Sequence, residues 1–511
     1  MLFLRKGRSV SQNKSPLTKC PSCKGEQGIA VLIAMIALSI FSVLGMYMSL
    51  NATTEVWIAD NVEGKIQAEF AASAGINHAR ELFKGLTHDL LLTGPDGTYT
   101  HTSDYVNQAR TYAFRNPLTW ETARSLDILN PASTVFGLPD DGILNTGKNG
   151  AVDGTVLIPI AGVALSSPNP YGSGNIITSR YFVKVTDNNG EASERAAEGV
   201  GAGQPDDPFV DADGIIVVRS MGVAGTIRET RGGKVRANSI SVYEMRYRQN
   251  KTFSFDSPLV LQGDSIVPSA PSMFDGASFG IDGGLANYGI ATIDPNPANG
   301  TPVSQITSQL SHAQERKITG RGGTPSVADI TTTLTGDGLN LLNAAYLWNF
   351  TQHEVPIFAD GVYQGNQSWS GNSQPYVGFF DPAKEATDPV QNPKITYVNG
   401  DLSLSGGFSG GGLLVVTGAL SGGGSITWNG LIFVIGKGDV NFSGMNVAIT
   451  GGLYVVNVQP DATGVLQFGT PKYTMAGNSQ FLVNGNTTKM MITMIPSKQT
   501  SFRKVTGMTD P

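Results

Sequence analysis

The chain has 511 residues, a net charge of −6 and 63 glycines, while Asp, Glu, Lys and Arg together make up only 15 % of it. A single hydrophobic core rarely grows past about 250–300 residues, so the length implies two or three domains. No basic block follows residue 28, so nucleic acid is not an expected partner; little charge with much glycine points to strands and turns under a weakly charged polar surface.

Residues 1–28 form a basic stub that holds both cysteines, Cys20 and Cys23, in "KCPSCKG". A zinc site built on this spacing needs two more ligands, and the nearest histidine, His78, lies beyond the adjoining apolar run. A redox pair would need a βαβ context, which the flanking sequence lacks. Ile29–Leu50 carries no charged residue and is long enough to span a bilayer, for which about 20 apolar residues suffice. Arg5, Lys6, Arg8, Lys14, Lys19 and Lys24 precede it against Glu26 alone, so the stub is expected on the cytoplasmic side and the bulk of the chain outside. The run exceeds the roughly 7–15 residues of a cleaved signal core, and "SLNATTE" makes a poor small-residue cleavage site. Two fates stay open on these residues: an uncleaved anchor, or a cut after Gly28 that keeps the apolar helix.

The helical pattern does not stop at Leu50. Ile58, Val62, Ile66 and Phe70 recur every four residues with Ala74 next, and Ala59, Ala68, Ala71 and Ala72 thicken the stripe. Glu55, Asp60, Glu63, Lys65, Glu69, Arg80 and Glu81 lie mostly off it. This period predicts one long helix from Ile29 to about Leu86, apolar all round in its first half and amphipathic in its second, with the second half packed on a globular domain. An anchor followed by a separate core helix would carry the same stripe.

In this order of features the chain resembles type IV pilins and pseudopilins, and most closely the PilX-type minor pilins. The quoted likenesses are "GIAVLIAMIAL" from Gly28, "EVWIADN" at Glu55–Asn61, and "AASAG" at Ala71–Gly75, with Ser73 where that family usually has Glu. The resemblance covers roughly residues 20–85. It implies cleavage by a prepilin peptidase between Gly28 and Ile29, residence in the inner membrane, and assembly with other pilins through the N-terminal helix. Major pilins usually carry Glu at the fifth mature position; here that position is Ile33. A carboxylate in lipid is costly without a partner, so its lack implies a minor or tip-proximal subunit.

Residues 87–178 show few clear periods. Strands are predicted at Arg180–Asp187, Gly214–Val223, Gly225–Arg231 and Arg236–Arg248 from β-branched content and alternation. The last three resemble the hairpin that closes many PilX-type heads, implying an α+β head over residues 87–250. Between the strands lie "DNNGE" and "DDPFVDADG". Asp187, Asn189, Asp207, Asp211 and Asp213 could supply the hard oxygens that calcium takes. There is no full EF-hand pattern, and Asp, Asn and Gly are also ordinary turn residues.

Residues 251–394 read as a turn-rich connection, with Gly338–Phe350 as a helix that could cap the C-terminal domain. From residue 395 to 511 a repeat appears: the apolar strand cores starting at Thr396, Leu414 and Ile432 are 18 residues apart, and Tyr454 comes 22 further on. Glycine-dense turns fill Gly400–Gly452. Such a repeat predicts an all-β, β-helix-like solenoid; an irregular β-sandwich is the alternative. Between Ile395 and Val458 only Asp401, Lys437 and Asp439 are charged, the histidines are scattered, and no metal, nucleophile or phosphate-loop motif is complete. Trp369 and Trp428 could stack on sugars or pack in the core. The expected role is therefore structural rather than enzymatic. The alternatives are a surface adhesin not built into a filament and a tethered β-helical polysaccharide-degrading enzyme.

Overall fold

A computed structural model describes residues 26–83, 87–93, 126–130, 162–168, 175–188, 191–199, 201, 211–230, 233–253, 257–276, 278–296, 301–384, 388, 390–495 and 497–505. The chain divides into two compact units, residues 1–63 and 64–511.

Helix α1 runs without interruption from Glu26 to Leu82. Its 57 residues make a rod of about 85 Å at 1.5 Å per residue. The anchor and the amphipathic segment are thus one helix. It is long and apolar enough to cross a membrane, its most apolar window having a mean hydropathy of 2.7. The expected packing face needs correction. Ile58, Val62, Ile66 and Phe70 are exposed, Phe70 by 70 %, whereas Ala68, Ala71, Ala72, Ile76 and Ala79 are buried. The small residues face the sheet because the helix lies against it almost backbone to backbone. A Cβ placed on Gly222 of the sheet would sit 2.0 Å from the Ala68 carbonyl oxygen and 2.5 Å from the Ala72 nitrogen. Branched side chains would not fit in that gap, so the longer apolar stripe is left outward.

The sheet is antiparallel and five-stranded. It comprises β1 (Val163–Pro168), β2 (Asn175–Asp187), β3 (Ile215–Thr230), β4 (Gly233–Arg248) and, at its edge, Lys498–Val505. The strand lengths follow from β-branched alternation. Val183, Val185, Ile216 and Val218 face α1 and helix α2 (His88–Thr93), while Phe182, Met221 and Val223 pack on Leu126 and Ile128 on the other face. In the buried middle of the sheet, Glu244 of β4 accepts from Arg219 at 2.6 Å and from Arg503 of the edge strand at 2.8 Å.

Residues 257–495 form a second, mostly β body. Its sheet has 17 strands that pair almost entirely in parallel and curl around a common core. Thr396 pairs with Leu414, Leu414 with Ile432, Ile432 with Leu453, Leu453 with Leu259, and Leu259 with Ile290. A second ladder joins Leu402, Leu420, Val440 and Tyr473, and a third joins Phe408, Ile426, Val447 and, through neighbouring residues, Phe481 and Ile281. Identical positions of successive strands therefore stack. Trp369, Phe408 and Trp428 form an aromatic column with ring centres 6.2 and 6.1 Å apart, and both tryptophans are core residues rather than exposed ones. Gly412, Gly430 and Gly451 also stack, at φ of 134°, 149° and 138°. A Cβ on Gly430 would lie 2.0 Å from the Gly412 carbonyl oxygen.

Strand pairing groups the chain differently from the divisions expected at 250 and 394. Leu259–Gln262 lies in the middle of the stack, between Ile290–Ile293 and Leu453–Val456. The chain builds outward from there to Val327–Asp329, crosses to Gly361–Gln364, and returns strand by strand to Leu453. Residues 257–330 therefore belong to the same sheet as the glycine-rich repeat. The helical stretch at 336–358 lies on the flank of the ladder rather than capping its end: Leu341, Leu347 and Phe350 pack with Phe253, Phe433 and Tyr454. The last strand leaves this body altogether and pairs with β4, Lys498 opposite Arg248. The second body is thus an insertion between two neighbouring strands of the head sheet.

Candidate metal centre

The acidic segments of the sequence converge at one end of the head sheet. Asp187 is the last residue of β2, and Asp211 and Asp213 occupy the turn that enters β3. Between them in sequence lies the short helix α3 (Ala192–Glu198), which carries Glu194 in its first turn. Ligand oxygens of Asp187, Glu194 and Asp211 all lie within 4.8 Å of one another.

Each group is held differently. Glu194 accepts from the backbone nitrogens of Ala212 and Asp213, at 2.8 and 3.1 Å, which pins α3 to the turn. Asp211 accepts from the Gly214 nitrogen at 2.6 Å, and its other oxygen lies 2.5 Å from Nδ1 of the buried His88. Asp213 stands beside the trio, near enough for its charge to act on Asp187 and Glu194. It accepts from the Ile215 nitrogen at 2.9 Å and from the Asn188 side-chain amide at 3.1 Å. Asp187 is the exception. It is only 2 % exposed, and neither carboxylate oxygen has a partner of hydrogen-bond geometry among the described residues. The fully buried Asn188 likewise has an unpartnered side-chain oxygen.

An isolated buried carboxylate is costly in its charged form. Burial, then the nearby charges of Glu194 and Asp211, push the Asp187 carboxyl up to about 10, and the adjacent Asn188 amide offsets only a small part of this. Burial also raises Glu194 to about 7, against the two amides that it accepts from. Three carboxyl groups that resist ionising together in a buried site form an arrangement whose ionised state a hard cation would stabilise. Calcium–oxygen distances of about 2.3–2.6 Å allow one ion to touch oxygens this far apart.

Of the five residues expected to bind calcium, Asp187 and Asp211 meet in the trio and Asp213 stands beside it. Asn189 and Asp207 lie outside the described residues. Glu194 is not legible in the loop pattern of alternating Asp and Asn; it sits in "SERAAE", where a short helix turns one acid inward. His88 is equally hidden, since nothing near it in sequence marks it as a contact of Asp211.

The other residues singled out lie elsewhere. Ile29, Ile33, Glu55 and Asn61 are exposed along α1, and the Gly28–Ile29 bond falls in its first turn. Asp401 lies in a strand connection, where it accepts from the Ala419 nitrogen at 2.7 Å and lies 3.5 Å from Lys437, and Asp439 opens a strand and accepts from Ser269 at 2.5 Å. Comparison with known protein families, with curated proteins and with solved structures finds no match for this chain.

Proposed function

We propose that the chain is an exported, membrane-anchored assembly subunit of the PilX-type minor pilin class, cut after Gly28 by a prepilin peptidase and built through α1 into a type IV pilus. The observation that carries this reading is the exposed apolar stripe of α1. Ile29–Leu50 already suffices to cross a bilayer, whose hydrocarbon core is about 30 Å thick. Ile66 and Phe70 lie beyond that length and are exposed. An apolar face continued past the membrane needs partners, and bundled copies of such helices in a filament would supply them. Ile33 in place of the usual acid favours a minor or tip-proximal position. On this reading residues 1–28 face the cytoplasm and the rest is exported. The stacked parallel ladders, with their register of 18 residues, support a β-helix-like solenoid inserted in a pilin-like head, where it would serve as a spacer or adhesive surface.

The test is the mature N-terminus. Mass spectrometry of the protein from cells with an active prepilin peptidase should find Ile29 first, and Gly28→Val should leave the precursor uncut. Retention of residues 1–28 in the wild-type protein would sink the pilin reading and favour a plain anchored adhesin.

A further inference from the structure

We propose that Asp187, Glu194 and Asp211 bind a calcium ion in the head, and that this ion fixes the seat of α2 and the point where the inserted body returns to the sheet. The inference goes beyond the assembly role and does not depend on it.

The acidic cluster alone would not carry this. The second observation is Asp187, whose two oxygens are buried and unpartnered among the described residues, one of them within 4.8 Å of ligand oxygens of Glu194 and Asp211. Native structures rarely leave such groups without a partner. The donor set is all oxygen, which selects a hard cation over zinc or copper. Glu194 and Asp211 retain lone pairs after accepting their hydrogen bonds, because each carboxylate oxygen can accept twice. Asn188, next to Asp187, adds a further buried and unpartnered amide oxygen.

The three ligands come from the end of β2, from α3 and from the turn before β3, so one ion would bridge three segments that the two backbone hydrogen bonds to Glu194 and the Asn188–Asp213 contact already bring together. Asp211 also holds His88 of α2, whose other ring nitrogen lies 3.5 Å from the Ser497 hydroxyl, just before the returning strand. Occupancy of the site is therefore transmitted to α2 and to the junction at Ser497 through a continuous row of contacts.

Calorimetric titration of the full chain in detergent, first stripped with EDTA, should give one calcium per chain, and thermal unfolding should shift upward in millimolar calcium. Asp187→Asn should weaken calcium binding at least ~10-fold, since affinity follows the number of charged ligands. The same substitution should raise thermal stability in EDTA, because an amide replaces an ionisable carboxyl that is otherwise buried without a counter-ion. That opposite sign separates a metal site from a merely structural acid. If Asp187→Asn does not fold, Glu194→Gln read in the same titration takes its place. A wild-type protein with no calcium isotherm, an unchanged response in the variants, or an equal response to magnesium at the same concentration would overturn the proposal.

Discussion

Replacing Gly222 by Ala tests whether the helix–sheet seam depends on close backbone approach. The added Cβ would stand 2.0 Å from the Ala68 carbonyl oxygen, 2.5 Å from the Ala72 nitrogen and 3.0 Å from the Ala68 carbonyl carbon. Van der Waals contact needs about 3.5–4.0 Å, so the helix must retreat by more than an ångström. All three obstacles are backbone atoms, so no rotamer change can relieve the clash. Inserting a methyl group into a well-packed core costs about 1–3 kcal/mol; here the upper part of that range is expected, since the helix can move only by loosening Ala71, Ile76 and Ala79 from the sheet core. At 1.4 kcal/mol per factor of ten, about 2–3 kcal/mol is an increase of roughly 25- to 150-fold in the opening equilibrium. Hydrogen exchange of the amides at 68–80, read by mass spectrometry on the full chain in detergent, should accelerate by that factor. Peptides from the inserted body should be unchanged. Unaltered exchange at 68–80 would refute the claim that small residues set the seam.

Two other substitutions probe separate parts of the fold. Gly430→Ala should lower the urea midpoint of the inserted body, followed by tryptophan fluorescence, because its φ of 149° costs a side chain about 1–3 kcal/mol and the contact with the Gly412 carbonyl adds to that; an unchanged midpoint would show that the glycine column is dispensable. For Glu244, burial raises the carboxyl, but Arg503 and Arg219 outweigh it and hold the group below its ordinary range. A carboxyl lowered by folding stabilises fully above its unfolded value of about 4.3, and this is lost as pH falls through the lower folded value. The wild-type head should therefore lose stability below about pH 4.3 more steeply than Glu244→Gln, which should already be weaker at pH 7 by about 3–5 kcal/mol because the buried Arg219 loses its carboxylate partner; parallel pH profiles in chemical denaturation would contradict this.

Local patterns announced local structure. The absence of charge over Ile29–Leu50 and the four-residue period beyond it marked the helix to within a few residues of its ends, and the 18-residue spacing reappears as the register of Thr396, Leu414 and Ile432. What the pattern could not carry was which face is buried: Ile58, Val62, Ile66 and Phe70 look like the core stripe, yet the gap at Gly222 admits only alanine and glycine. Long-range pairing was equally hidden. Leu259–Gln262 has no sequence feature linking it to Leu453–Val456, and the edge strand Lys498–Val505, counted by its sequence with the glycine-rich repeat, carries nothing that points to β4. In the acidic cluster, Asp187 and Asp211 were legible as oxygen donors, while the inward turn of Glu194 depends on α3 docking against the turn at 211–214.

Entry of the chain inside the ladder, not at one of its ends, has a consequence for the order in which the body can be completed. A nascent chain reaches Leu259–Gln262 first and can cover one side of it with Ile290–Ile293, but the other side must wait for Leu453–Val456. Until then a buried apolar strand keeps one backbone edge unpaired, the feature that invites mispairing between chains, and its closure spans a sequence separation that slows folding. Truncation from the C-terminal side therefore does not shorten the stack from its end; it opens the stack in the middle.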